Sequence, residues 1–159
     1  MRARVGSALI GTSVAAGLVV GCSADPPPEA LPSLPPAASE RVQGELGGVA
    51  LELEVADDPR ERSTGLMGRT SVPPGTGMVF LYDSPTNGRF YMHRVPIPLR
   101  ATFIADGRVV SSIVMPPCPE QKPQDCPTYG ADGPFDTVVE TDPATLPDVA
   151  PGDAFDLSG

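Results

Sequence analysis

The alternation of apolar and polar residues predicts a domain of short strands that begins at Gly47. The first strand carries four apolar residues separated by Ala or Glu, namely Val49, Leu51, Leu53 and Val55. This period of two is typical of a strand with one buried face. The pattern therefore predicts one folded domain over residues 47–159.

A short helix follows this strand. Asp58 can cap it, Pro59 fits the first helical position, and Glu61 lies in the first turn. Gly65 and Gly68 weaken any continuation, because glycine lowers helix stability. The sequence therefore predicts one short helix.

The rest of the domain reads as strands separated by turns. Apolar and β-branched runs predict strands at 77–82, 89–94, 99–105, 108–115, 135–141 and 153–157. The Ser-Pro-Thr-Asn-Gly run at 84–88 and the pair Asp106-Gly107 predict hairpin turns between consecutive strands. The 21 prolines and 17 glycines of the chain also favour turns and short elements. Together these features predict a β-rich domain.

The N-terminal segment has the features of a bacterial export signal. Residues 1–21 combine a short basic start with an apolar run of small residues, and the run Val-Val-Gly-Cys that ends at Cys22 resembles a lipoprotein lipobox. We expect cleavage before Cys22 and lipidation of its thiol. Residues 22–46 then form a Pro-rich tether, and the membrane is a partner through the lipid. The predicted location is extracytoplasmic, lipid-anchored to the cell membrane; a single membrane span is the alternative.

The two remaining cysteines, Cys118 and Cys126, lie eight residues apart. In an exported chain this spacing favours a disulfide over a metal site, since no second His or further Cys lies nearby to complete a tetrahedral set.

The charge of the chain limits its partners. A formal net charge of −9 argues against nucleic acid, which needs a basic surface. The arginines are concentrated between positions 60 and 108, and they suggest a shallow site for an anionic or glycan ligand of the envelope. Its candidate residues are Arg62, Arg69, Tyr91, His93, Arg94 and Arg100. The alternative is a set of unrelated surface arginines, and the sequence identifies no protein partner.

Catalytic and metal-binding interpretations have less support. His93 is the one histidine, and no Gly-x-Ser-x-Gly motif is present, so a hydrolase that uses His93 is an alternative without a recognisable nucleophile. Asp136 and Glu140 lie about 13 Å apart along a strand, too far for a glycosidase pair. A copper site is a further alternative, although the thioethers that it would use also suit core packing. These are Met67, Met78, Met92 and Met115, and His93 would complete the copper site. We expect a non-catalytic module without a cofactor.

Motifs spread over the predicted domain resemble the domain of unknown function (DUF) 192 family. The matching residues are Arg62, Gly65-Leu66-Met67, Arg69, Gly77-Met78, Phe80, Phe90-Tyr91-Met92, Pro98-Leu99, Phe103, Cys118, Cys126, Tyr129 and Glu140. The resemblance covers about residues 48–158. It implies a β-rich (α+β) fold, a compact barrel-like antiparallel sheet with one short helix, and no settled activity.

Two stretches depart from the family pattern. Family members usually carry a Lys-Asn-Thr-like run after the aromatic-Met pair and an Asp after Pro-Leu, whereas this chain has His93-Arg94-Val95 and Arg100. These departures imply a ligand preference that has shifted toward anions.

Overall fold

The computed structural model describes residues 40–158. The predicted signal peptide, the lipidation site Cys22 and the tether up to residue 39 lie outside the described residues. Within the described part, no helix has the length and apolar character that crossing a membrane requires.

The sheet begins earlier than the sequence predicted. Strand β1 spans Arg41–Leu46 and pairs antiparallel with β2, Val49–Ala56, so the domain does not start at Gly47. Gly47 and Gly48 instead form the hairpin turn, with φ values of 58° and 81° that favour glycine. The sequence did not predict this strand because its few apolar residues give only a weak alternation, and all of it lies within the predicted tether, residues 22–46.

The predicted helix is present. Helix α1 spans Pro59–Thr64, and the Asp58 side chain accepts a hydrogen bond of 2.7 Å from the Glu61 amide. Gly65 ends the helix at φ 47°, a conformation in which other residues are strained.

One curled, half-barrel sheet contains most of the remaining strands. These strands are β3 (Thr76–Thr86), β5 (Leu99–Ala105), β6 (Arg108–Met115), β8 (Phe135–Thr141) and β9 (Phe155–Ser158), while β4 (Phe90–Tyr91) and β7 (Thr128–Tyr129) form a separate two-stranded sheet. The order in the large sheet is β6-β5-β8-β3-β2-β1-β9, and β2 and β3 are parallel while the other pairs are antiparallel. A bridge between Arg108 and Ala154 joins the two edges at one end. The β-rich expectation and the barrel-like sheet with one short helix are therefore confirmed, except that the sheet is not wholly antiparallel.

The predicted hairpin at residues 84–88 and the strand at 89–94 are wrong. Strand β3 continues to Thr86, and only Phe90–Tyr91 is extended afterwards, where it pairs with β7 in a separate small sheet. Arg89 stabilises this segment through two hydrogen bonds to Thr128: its Nε donates to the hydroxyl at 2.8 Å and its Nη2 to the carbonyl oxygen at 2.7 Å. At Arg94 the chain turns with φ 60°, which ends any extended run. The hairpin predicted at Asp106-Gly107 is present between β5 and β6.

The predicted disulfide is present between Cys118 and Cys126. It encloses a short 3₁₀ turn, Pro123–Asp125, and β7 follows two residues after Cys126. The bridge thus restrains the loop that carries one strand of the small sheet.

Strand β8 lies in the centre of the large sheet, and both of its faces are covered. Val138 belongs to a core that includes residues of the segments before β3 and after β4, whereas Val139 belongs to a second core on the opposite face. Every residue from Thr137 to Thr141 is buried. Strand β8 is therefore held by its two neighbouring strands and by both cores.

Gly77 allows β3 to approach β8 closely. A Cβ atom at this position would lie 2.3 Å from the Glu140 carbonyl oxygen and 3.0 Å from a Thr141 methyl group. Because the contact is with backbone in the centre of a sheet, a side chain here forces the two strands apart.

We expect the Gly77→Ala substitution to lower the free energy of unfolding by about 1–3 kcal/mol, as overpacking of a core does. Urea denaturation measures this change. Gly133→Ala is the matched control, since no atom lies within 4 Å of a Cβ there and its φ is not positive. Equal stability of the two variants would contradict this explanation of Gly77.

Candidate functional site

A cavity of about 80 Å³ lies between helix α1, β3, β8 and the segment around β4. Its walls combine a few polar side chains with apolar and aromatic ones. The lining residues are Arg62, Ser63, Thr64, Gly65, Leu66, Met67, Phe80, Tyr82, Arg89, Phe90, Tyr91, Met92, Val95, Leu99 and Glu140. A space of this size and polarity has room for several water molecules or for a small ligand. We call it the Glu140 cavity.

Glu140 supplies the acidic group of the cavity. It lies on β8 between Met78 of β3 and Ala101 of β5, and only 5% of its surface is exposed. Burial raises the pKa of the Glu140 carboxyl to about 8, because the charged form loses its hydration. At neutral pH the carboxyl therefore carries a proton and can donate a hydrogen bond.

Arg62 supplies a cation from the last turn of α1. Its Nη1 donates to the carbonyl oxygen of Leu81 at 2.9 Å and also to that of Asp57. The guanidinium carbon lies 5.0 Å from the centre of the Tyr82 ring, within the range of a cation–π interaction. These contacts fix the guanidinium against β3 at the edge of the cavity.

Tyr82 connects the acid and the cation. Burial raises the pKa of its phenol, Arg62 acts in the opposite direction, and Glu140 adds to the increase. The pKa of the Tyr82 phenol therefore responds to both Arg62 and Glu140. Behind it, Tyr82 packs edge-on against Phe135 with ring centres 5.9 Å apart, and Phe80 packs edge-on against Phe90 at 5.2 Å.

The predicted binding residues do not form one site. Arg62 and Tyr91 line the Glu140 cavity, and Tyr91 is 36% exposed. Arg69 binds Glu54 at 2.6 Å and lines a separate pocket of about 20 Å³. Arg100 lies beside Leu99 in β5 and so points to the opposite face of the sheet, where it donates to Ser112 at 3.2 Å.

The two residues that follow Met92 are also separate from the cavity lining. His93 forms a bridge with Cys118, and its Nδ1 is buried without a hydrogen-bond partner among the described residues. Arg94 is exposed, and its carbonyl oxygen accepts from the Gly68 amide at 2.8 Å. Both residues shape the loop, and neither lines the Glu140 cavity.

Apart from Tyr91, the polar residues that share this cavity with Arg62 were not identified from the sequence. Tyr82 and Arg89 lie in predicted strands, and Glu140 was considered only as a possible partner of Asp136 and as a residue of the family resemblance. A signal for Glu140 was present, since it is a single acid at the end of an apolar run that fits a central strand. Spacing along β8 did not show that α1 would cover it.

The methionines proposed for copper are mostly core residues. Met78, Met92 and Met115 are at most 1% exposed and belong to one apolar core, while Met67 is partly buried against it. Within residues 40–158, no group of three His, Cys, Asp or Glu side chains is arranged to hold a metal ion.

Comparisons with known proteins agree with this fold. The model of the DUF192 family, described as "Uncharacterized ACR", matches residues 40–157. A Sinorhizobium meliloti protein of known structure, provisionally described as a transcription regulator, is 25% identical to this chain. The match covers 76% of this chain and 95% of that protein, with a TM-score of 0.65.

A second solved structure is similar. It is a protein of unknown function from Novosphingobium aromaticivorans, 28% identical, and the match covers 78% of this chain and 94% of that protein with a TM-score of 0.60. No curated protein matches the chain.

The raised pKa of Glu140 predicts a pH dependence of stability. Its usual pKa is 4.5 and its folded value is about 8, so between these values the folded chain holds a proton that the unfolded chain has lost. The free energy of unfolding therefore falls as pH rises through this range, by at most about 1.4 kcal/mol per pH unit from this group. Below pH 4.5 the group makes no contribution to the slope.

We expect Glu140→Gln to remove this part of the slope and to be more stable than the wild type near the upper end of the range. Urea denaturation at a series of pH values measures it. Glu45→Gln, an exposed position on β1, is the matched control and should keep the wild-type slope. Identical pH profiles for Glu140→Gln and the wild type would show that Glu140 is not protonated in the folded chain.

Proposed function

The chain belongs to the DUF192 family, and we propose that it is a non-catalytic binding or accessory module that holds a small anionic or glycan ligand of the cell envelope in the Glu140 cavity. The observation that carries the proposal is Glu140, an acidic residue of which only 5% is exposed and which nevertheless lines a cavity together with Arg62 and Tyr82. A buried carboxyl costs stability, and a protein that needed only a core would have an apolar residue there. A ligand that accepts its hydrogen bond explains why the acid is in this place.

The composition of the cavity favours binding over catalysis. Among the described residues, Glu140 is the one acid in the lining, and no histidine lines the cavity. Glycoside hydrolysis requires a second carboxylate, and a hydroxyl nucleophile requires a base next to it. The hydrolase alternative relied on His93, which bridges to the disulfide loop instead of lining the cavity.

We further propose that the protein is a lipoprotein on the outer face of the cytoplasmic membrane. The basic start, the apolar run and the Val-Val-Gly-Cys sequence ending at Cys22 support it. The disulfide between Cys118 and Cys126 also suits an oxidising compartment. In such a position the Glu140 cavity would meet ligands of the envelope.

Native mass spectrometry of the exported protein tests the binding proposal. We expect a small co-purifying mass in the wild type and its loss in Glu140→Leu, which removes the polar group and keeps a similar volume. Glu45→Gln should keep the mass, because its carboxylate lies on a different strand. A mass that persists in Glu140→Leu would place the ligand elsewhere. If no mass co-purifies, the second measurement is of NMR amide chemical shifts while small carboxylates and sugars are added. If no amide around the cavity changes its shift, the binding proposal is contradicted.

Substitution of the anchor tests the location. Cys22→Ser removes the thiol that would be lipidated, and we expect the protein to move from the membrane fraction to the soluble fraction because no lipid remains to hold it. Incorporation of labelled palmitate by the wild type and not by Cys22→Ser is the second readout. Ser23→Ala is the control and should stay membrane-bound. A Cys22→Ser protein that stays in the membrane fraction would contradict lipid anchoring.

A further inference from the structure

We propose that the ligand of the Glu140 cavity is a small monocarboxylate, whose carboxylate group binds between the Arg62 guanidinium and the Glu140 carboxyl. This inference rests on the proposed function and makes it more specific, since it selects the anionic class and names the chemical group that is recognised. It stands on the arrangement of charge, donors and apolar walls in one cavity.

The charge of the cavity is opposite to that of the chain. The whole chain carries a formal charge of −9, whereas the cavity lining contains two arginines, Arg62 and Arg89, and one acid. Apolar walls strengthen the field of such groups, because they lower the local dielectric constant around the charges. An anion is therefore attracted to this cavity in a protein that repels anions overall.

Arg62 has donors left for a ligand. Both of its hydrogen bonds among the described residues are made by Nη1, to the carbonyl oxygens of Asp57 and Leu81. The Nε and Nη2 groups of a guanidinium form a planar pair that matches the two oxygens of a carboxylate. Because Nη1 already fixes the side chain, little conformational entropy is lost when the ligand binds.

Arg89 contributes charge more than hydrogen bonds. Its Nε and Nη2 donate to Thr128, so these two groups are already used. Arg89 is one of the residues that line the cavity, so its charge adds to the positive potential there. Arg62 is thus the residue expected to make the direct contact.

Glu140 completes the site as a hydrogen-bond donor. Because burial raises its pKa to about 8, it is protonated at neutral pH and can donate to a carboxylate oxygen. The titratable and charged groups that face it from the other elements are Arg62 of α1, Tyr82 of β3, and Arg89 and Tyr91 around β4. A bound anion favours the protonated form further, since two negative charges at short distance repel each other.

The remaining walls limit the ligand to a short body. Met67, Phe80, Phe90 and Leu99 present apolar surface, and the cavity measures about 80 Å³. A carboxylate with a few carbon atoms would place its charged group at Arg62 and Glu140 and its carbon chain against these residues. A large or strongly polar body would leave its polar groups without partners.

The test measures binding to the full exported chain by isothermal titration calorimetry. It compares propionate with propionamide, which has almost the same size but no charge. Glucose is included as a neutral sugar. We expect propionate to bind at about pH 6.5 and propionamide to bind at least tenfold more weakly, because the guanidinium attracts only the anion. For the wild type, propionate affinity should fall about tenfold at about pH 9, where only about a tenth of Glu140 is protonated.

Two variants separate the roles of the acid and the cation. Glu140→Gln keeps a donor at every pH, so it should bind propionate with an affinity that stays within about twofold between about pH 6.5 and pH 9. Arg62→Gln should lower propionate affinity by tenfold or more, and thermal unfolding verifies that it is folded. Glu45→Gln should behave as the wild type. Loss of binding in Glu140→Gln would overturn the donor role.

The outcomes also distinguish this inference from the proposed function. If propionamide or glucose binds as well as propionate, and Glu140→Leu abolishes that binding, the carboxylate proposal fails and the binding function stands. If none of the three probes binds and no mass co-purifies with the wild type, both proposals fail. Tight binding of propionate that is unchanged in Arg62→Gln would overturn the assignment of the carboxylate to this cavity.

Discussion

The packing of β8 in the centre of the sheet is the constraint on which the rest of the structure depends. This strand pairs with β3 on one side and β5 on the other, and apolar cores cover both of its faces. Gly77 brings the backbone of β3 against it. Because β8 has no room to shift, the Glu140 side chain has a fixed position. A buried carboxyl loses the hydration that stabilises its charged form, so it keeps its proton. This is why Glu140 is uncharged at neutral pH.

Arg62 joins the local structure of the helix to the cavity. Helix α1 has only six residues, too few to be stable alone, and the Asp58 cap and the Gly65 terminus define its ends. The Arg62 guanidinium reaches from the helix to the Leu81 carbonyl on β3 and lies over Tyr82. One side chain therefore attaches the helix to the sheet and gives the cavity its positive edge, so stability and recognition use the same contacts.

The sequence predicted elements that local chemistry determines and missed those that depend on distant partners. The helix could be predicted from Asp58, Pro59 and Gly65, and one hairpin from Asp106-Gly107, because each of these residues acts on the backbone next to it. The alternation of apolar residues did not show that β3 pairs with β2 and β8 rather than with the segment after it. The candidate site was incomplete for the same reason. Arg62 and Tyr91 were identified, but Glu140 lies 78 and 49 residues after them in the sequence, and only the fold brings it to the same cavity.

Burial explains why the arginine-rich stretch did not give one arginine surface. Arg69 is neutralised by Glu54 at 2.6 Å, in a pair where only 13% of the Glu54 side chain is exposed. Arg100 is directed to the opposite face by the alternation of β5. Arg62 differs from these because the acid that shares its cavity, Glu140, is protonated by burial and cannot neutralise it. A cation beside a neutral acid keeps its attraction for anions, whereas a cation beside a carboxylate loses it. The polarity of the cavity therefore follows from where β8 lies in the sheet, and not from the number of arginines in the sequence.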